Sequence, residues 1–150
     1  FIELAGDINT NMPRRIIQRL LEEMSLKQKK ALAGSNILLC GIAYKKNIDD
    51  MRESPSLELL HILKEHGAIV SYHDPFIPEI PNTREHPEFE GMESITLNKK
   101  NLSFYDACVI ATDHSGVDYG LLCEVLPLIL DTRNALAGFK DKYRKKIIKA

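Results

Sequence analysis

An α/β fold, with a parallel sheet covered by helices on both faces, is predicted by three features of this sequence. Short runs that are almost wholly apolar, such as Asn36–Cys40 (NILLC) and residues 107–111 (ACVIA), have the character of strands buried on both sides. Stretches with helical periodicity separate these runs, so strands and helices alternate along the chain. The 150 residues, 44% hydrophobic and 27% charged, suit one globular domain with an appendage.

The elements follow in order. Ile16, Ile17, Leu20, Leu21 and Met24 recur at spacings of three and four between charged residues, which predicts an amphipathic helix. Pro13 either opens that helix at its first turn or lies within a longer one beginning near Ile2. The apolar opening FIELA reads as a start inside a larger protein, and Ala33-Gly34-Ser35 reads as a linker. Strand Asn36–Cys40 then ends at Gly41. Ser54-Pro55 announces a second helix, since serine can cap free amides and proline is tolerated in the first turn. Leu57, Leu59, Leu60, Ile62 and Leu63 fill that helix and Gly67 is its stop. Residues 68–72 supply a second strand running into His73-Asp74-Pro75, so residues 36–74 have the order and length of one right-handed βαβ unit.

Pro75, Pro78, Pro81 and Pro87 stand among charges, which predicts an exposed, mobile, irregular loop. Residues 107–111 form a third strand, Tyr119–Val125 a short helix, and residues 126–130 (LPLIL) a fourth strand with Pro127 at its start or on an edge. The tail KDKYRKKIIKA is compatible with a helix that finishes in a strand around Ile147 and Ile148.

Composition excludes several classes of function. A net charge of −1 argues against a broad nucleic-acid-binding face. Lys140, Lys142, Arg144, Lys145 and Lys146 in the tail read as a solvated face. No run approaches the roughly 18 apolar residues of a membrane span, and Phe1 does not open a signal peptide, so a soluble cytoplasmic protein is expected. The three cysteines, Cys40, Cys108 and Cys123, sit in apolar surroundings without a C-x-x-C pair and read as buried thiols in a reducing compartment. His61, His66, His73 and His86 show no metal-ligand spacing in sequence, so no metal is expected. Asp113, His114 and Ser115 hold the residue types of a hydrolase triad, but neighbours in one loop cannot face one another as a triad must, and they read as a polar turn.

Ligands of open parallel sheets bind beyond the carboxyl ends of the strands, where helix amino termini present free amides. Here the loop GIAYKKNIDDMRESP leaves the first strand with Lys45, Lys46 and Arg52 close to a helix start, a combination suited to phosphate. The same cations could instead pair with Asp49, Asp50 and Glu53 on a solvated loop. A dinucleotide fingerprint is absent, because Gly41 is the only glycine after the strand and no G-x-G-x-x-G follows. Asp74 stands where a ribose-binding acid would, but without those glycines it carries little weight.

GIAYKKNIDDMRESPSLELL, GAIVSYHDP, FYDACVIATDH and LILDTRNAL, in that order, closely resemble the UDP-glucose/GDP-mannose dehydrogenase family. The resemblance runs from the first residues to about Leu136, and a lysine followed by D-D-x-R-E-S-P is its most distinctive part. It implies an amino-terminal NAD-binding Rossmann domain, a central helical dimerisation domain, and a carboxy-terminal Rossmann-like domain that holds UDP. Residues 1–34 would then be the end of the central helix, with Pro13 inside it, and a linker. Residues 35–150 would be the UDP-sugar-binding domain.

By the same resemblance Tyr44, in place of the usual phenylalanine, and Lys45 contact the UDP-sugar, as does Arg133 in the D-x-R-N turn. Arg52 matches the arginine that reaches across the cleft towards NAD. The implied reaction oxidises the sugar C6 alcohol to a carboxylate in two NAD-dependent hydride transfers through a cysteine thioester. The glycine-rich pattern around that cysteine is absent, so no catalytic residue is assigned here, and NAD would be bound mainly by an amino-terminal domain. The spelling D-T-R-N-A at residues 131–135 is similar to members acting on UDP-N-acetylglucosamine or UDP-N-acetylmannosamine. A homodimer or higher homo-oligomer through the central helix is implied. The alternative is a stand-alone nucleotide-binding or protein-interaction module without catalysis.

Overall fold

The computed structural model describes residues 2–51 and 54–149, with side chains described from Met12 onward. Five strands form one all-parallel sheet: β1 (Asn36–Cys40), β2 (Ile69–His73), β3 (Ala107–Ile110), β4 (Ile129–Asp131) and β5 (Ile147–Lys149). Their spatial order is β2-β1-β3-β4-β5. From β1 the chain moves to one side for β2, then returns to the other side for β3. The strand order therefore reverses at the boundary between β1 and β3.

Alternation along each strand feeds two separate cores. On one face Ile37, Leu39, Val109 and Leu130 pack with Ile17, Leu20 and Met24 of α1 (Ile2–Gln28) and with Leu59, Leu60 and Leu63 of α2 (Ser56–Glu65). On the other face Leu38, Cys40, Cys108, Ile110 and Ile129 pack with Leu102 of α3 (Lys99–Leu102) and Leu122 and Cys123 of α4 (Tyr119–Val125). All of these side chains are buried. Each large apolar group is worth about 1.5–3 kcal/mol relative to exposure, which explains why the strands are apolar on both sides.

The two readings left open for Pro13 are resolved, because it lies inside the 27-residue α1. Gly67, in the left-handed conformation (φ 84°), closes α2 through Gly67 N–H donating to Lys64 O. Serine before α2 acts slightly differently from expectation. The Ser54 hydroxyl donates to Ile42 O and accepts from Ser56 N, tying the helix start to the end of β1.

Two expectations need correction. The proline-containing segment after β2 is not simply an exposed loop, since Ile77, Ile80 and Phe89 are buried in the α1/α2 core. The Tyr72 hydroxyl reaches Ile77 O and Met92 O, and Ile95 N–H donates to Tyr72 O, so polar groups of this segment are also satisfied against β2. In the tail, turns rather than a helix join a short 3₁₀ turn, Ala137–Phe139, to β5. Small shifts also occur: β2 begins at Ile69, and β4 begins at Ile129, leaving Pro127 ahead of the strand where no ladder amide is needed.

Candidate functional site

At the carboxyl edge of the sheet, the loops leaving β1 and β3 meet at the strand-order reversal. Gly41 makes this approach possible. Its φ is 86°, and a Cβ there would lie 2.5 Å from Thr112 O and 2.6 Å from Thr112 Cβ, so only glycine fits. The Thr112 hydroxyl donates to Ala43 O at 2.8 Å, completing the junction.

A buried carboxylate organises the loop beyond it. Asp74 Oδ2 accepts from Ile42 N and Ala43 N at 2.8 and 3.1 Å, and from His114 Nε2 at 2.9 Å. Its Oδ1 accepts from Phe76 N at 2.8 Å. On the other side of the imidazole, Nδ1 accepts the Asn47 amide hydrogen at 2.8 Å. Nδ1 is therefore the unprotonated nitrogen and Nε2 carries the hydrogen directed at Asp74. Asn47, itself at φ 60°, also exchanges side-chain hydrogen bonds with Ser115 N and Oγ. The loop bearing Tyr44 and Lys45 is thus latched to the loop after β3. His114 is buried, so residues 113–115 are not merely a polar turn, and Asp74 is itself buried and engaged by four internal donors, which withdraws it from the exposed position a ribose-binding acid needs.

A second buried carboxylate shapes the loop after β4. Asp131 Oδ1 accepts from Arg133 N and Ala135 N, and Oδ2 from Leu136 N at 2.8 Å. This tight turn, with Asn134 at φ 60°, projects Arg133 over the strand ends. Arg133 Nε donates to Ala111 O at 3.0 Å, which fixes the plane of the guanidinium. Its two terminal nitrogens bond to no protein acceptor among the described residues, leaving a fork of donors.

Arg133 and Tyr44 line one cleft of about 520 Å³, together with Thr132, Ala111, Pro55 and the Met12–Ile16 stretch of α1. Lys45 is exposed on the same loop, with Nζ 5.6 Å from the Tyr44 ring centroid. No carboxylate pairs with Lys45 or Lys46 among the described residues, which disfavours the solvated ion-pair alternative for those two. Arg52 lies outside the described residues. A larger hollow of about 700 Å³, between α1 and the Lys29–Ala33 stretch, lies away from these strand ends and holds none of the expected site residues. Sequence reasoning missed Asn47 and His114 as parts of the site, and it considered Asp74 only as a ribose acid and Asp131 only as the first letter of the D-x-R-N turn. Asp74 directly after β2 and Asp131 at the end of β4 carry the signal of a polar residue closing an apolar strand, whereas Asn47 and His114 lie further along their loops and carry none.

The thiols do not belong to this chemistry. Burial, with the charge of Asp74 adding to it, pushes the Cys40 thiol up to about 12. Burial likewise raises Cys108 well above the ordinary thiol range and also raises Cys123. All three are buried, where a thiolate is disfavoured and reagents have no access.

The sequence profile described as the UDP-glucose/GDP-mannose dehydrogenase family, UDP binding domain, matches residues 38–138. The chain belongs to this family. It is 32% identical to the UDP-N-acetyl-D-mannosamine dehydrogenase of Methanococcus maripaludis, over 95% of this chain and 34% of the relative. It is 33% identical to the UDP-glucose 6-dehydrogenase of Bacillus subtilis, over 89% of this chain and 28% of the relative. Among solved structures, the UDP-D-ManNAc dehydrogenase from Pyrococcus horikoshii superimposes with a TM-score of 0.71 at 27% identity, covering 89% of this chain and 30% of that one. The chain therefore spans about a third of the length of these dehydrogenases. Every buried element of the site, from Gly41 to Leu136, falls inside the family match. Among the described residues, no helix is long and apolar enough to cross a membrane.

Proposed function

We propose that this chain is the UDP-sugar-binding part of an NAD-dependent nucleotide-sugar 6-dehydrogenase, which oxidises the sugar C6 alcohol to a carboxylate. UDP-N-acetylmannosamine or UDP-N-acetylglucosamine is the proposed substrate, in keeping with the D-T-R-N-A turn and with relatives named UDP-N-acetyl-D-mannosamine dehydrogenases. Residues 1–34 are read as the end of a central helix that also serves homo-oligomerisation, with a linker, and residues 35–150 as the nucleotide-sugar domain.

The observation that carries this reading is the convergence of Arg133 and Tyr44 on one cleft at the strand-order reversal. A guanidinium held by Ala111 O, with both terminal nitrogens unpaired among the described residues, suits the two oxygens of a phosphate. The Tyr44 ring offers a flat apolar surface, and Lys45 beside it supplies a mobile positive charge. Holding the diphosphate end fixes the remote sugar, and that binding energy is converted into alignment at C6. We assign no NAD fingerprint to this domain, because Asp74 is buried and engaged by internal donors and the glycine pattern is missing. We assign NAD mainly to a separate amino-terminal domain, with Arg52 reaching towards it. The nucleophilic cysteine is likewise placed outside this chain, since its three thiols are buried.

Arg133→Ala and Lys45→Ala in the full-length enzyme are expected each to weaken UDP-sugar affinity by about 1–3 kcal/mol, roughly 5- to 150-fold. Steady-state kinetics on both variants checks this. Unchanged Michaelis constants and turnover in both would remove the site assignment.

A further inference from the structure

Four histidines show no metal-ligand spacing in sequence, yet the fold brings two of them together away from the nucleotide cleft. Glu58, His61 and Glu65 recur at three and four residues along α2 and so share its outer face. Phe89, buried against the α1/α2 core, anchors the short 3₁₀ turn Pro87–Phe89 and carries His86 and Glu88 onto that face. The two imidazole centroids are 5.3 Å apart.

The polar contacts are arranged in two tiers. His61 Nε2 meets Glu65 Oε1 at 2.7 Å, and His86 Nε2 meets Glu58 Oε2 at 3.1 Å. Both contacts require the hydrogen on Nε2, which leaves a lone pair on each Nδ1 of a neutral ring. Those two Nδ1 atoms stand 3.5 and 3.3 Å from one oxygen, Glu88 Oε1. With both rings neutral, two nitrogen lone pairs and a carboxylate oxygen converge on one point. That convergence is favourable only when positive charge fills it, either a proton on each ring or a metal ion.

We propose that His61, His86 and Glu88 form a divalent transition-metal site, suited to Zn²⁺, that clamps the segment between β2 and α3 onto α2. One ligand atom from each residue lies within 4.8 Å of the other two. The two nitrogen–oxygen separations match the edge of a tetrahedron with bonds of about 2.0–2.1 Å, so closure requires mainly an approach of the two rings. Two imidazoles and one carboxylate are a ligand set for zinc rather than for calcium or magnesium, which take oxygen. Glu65 and Glu58 occupy the outer positions that orient metal-bound histidines, accepting from the far ring nitrogen. A water would complete four-coordination.

Chelator-treated chain should be titrated with Zn²⁺ by calorimetry and with Co²⁺ by visible absorption. The expected result is about one equivalent bound per chain, with d–d bands of a nitrogen and oxygen site and no thiolate charge-transfer band. His61→Ala, His86→Gln and Glu88→Gln should each weaken binding at least about tenfold, while His66→Ala should not. Glu88 is an exposed surface residue, so its variant keeps the test valid if a histidine variant misfolds. Absence of stoichiometric binding to chain whose circular dichroism is that of a folded protein would mean that protons alone neutralise the cluster, and would overturn the proposal. A thiolate band, or affinity unaltered in Glu88→Gln, would overturn it equally.

Discussion

Gly41 is the residue on which the site's geometry turns. Replacing it by alanine asks an L-residue to hold φ 86° and pushes a methyl group into the Thr112 backbone. The left-handed conformation costs about 1–2 kcal/mol and forced overpacking about 1–3 kcal/mol, so Gly41→Ala is expected to destabilise by roughly 2–5 kcal/mol. Urea unfolding checks this, and a loss below 1 kcal/mol would show that the junction of β1 and β3 yields easily. Gly41 was legible in the sequence as a strand terminator, but not as a contact with Thr112, because that contact spans 71 positions. The same holds for His114 and Asp74, which are 40 positions apart. Buried polar links depend on which loops become neighbours, and local pattern carries no trace of that. Lys45, by contrast, stands out in the basic loop after the first strand, while Arg133 and Tyr44 are singled out by the family resemblance alone.

Among elements, strands and the long helices were the most legible, because continuous apolar runs and three-four periodicity have few alternative solutions. The segment after β2 was misread because Ile77, Ile80 and Phe89 have neither period and its prolines suggested exposure. In the tail the strand around Ile147 and Ile148 is present as β5, but the helix ahead of it is not, because basic residues with high helix propensity sit in turns fixed by Tyr143 and the β5 pairing. One inter-element clip makes a testable pH dependence. Asp106 accepts from Lys30 Nζ at 2.7 Å and from Asn36 N at 2.8 Å, joining the chain before β1 to the start of β3. Burial opposes its ionisation, but these hydrogen bonds and the Lys30 charge outweigh burial and hold the carboxyl below its ordinary value. The folded state therefore favours the ionised form, and its contribution is complete above the unfolded pKa of about 3.9 and lost as pH falls through the folded value. Urea midpoints measured from pH 6 down to roughly 3 should fall less steeply in Asp106→Asn than in the parent. Parallel profiles would contradict the clip.

At the scale of the whole molecule, the sheet order places three strand ends, those of β1, β3 and β4, around one cleft, while α1 closes it from the side. Parallel strands aim all their carboxyl-end loops at one edge, which brings residues 44, 111 and 133 to the same side, and the Gly41 junction and the Asp131-held turn then set their final positions. Both faces of the sheet are occupied by helices, which leaves this edge as the place where a ligand can be received. Binding of UDP by the chain itself is the central claim. Isothermal titration with UDP and separately with NAD, at low ionic strength, tests it most directly. The account predicts one UDP site that weakens roughly tenfold or more in Arg133→Ala, and no heat from NAD. Binding of NAD without UDP, or UDP affinity that Arg133→Ala leaves unchanged, would contradict it.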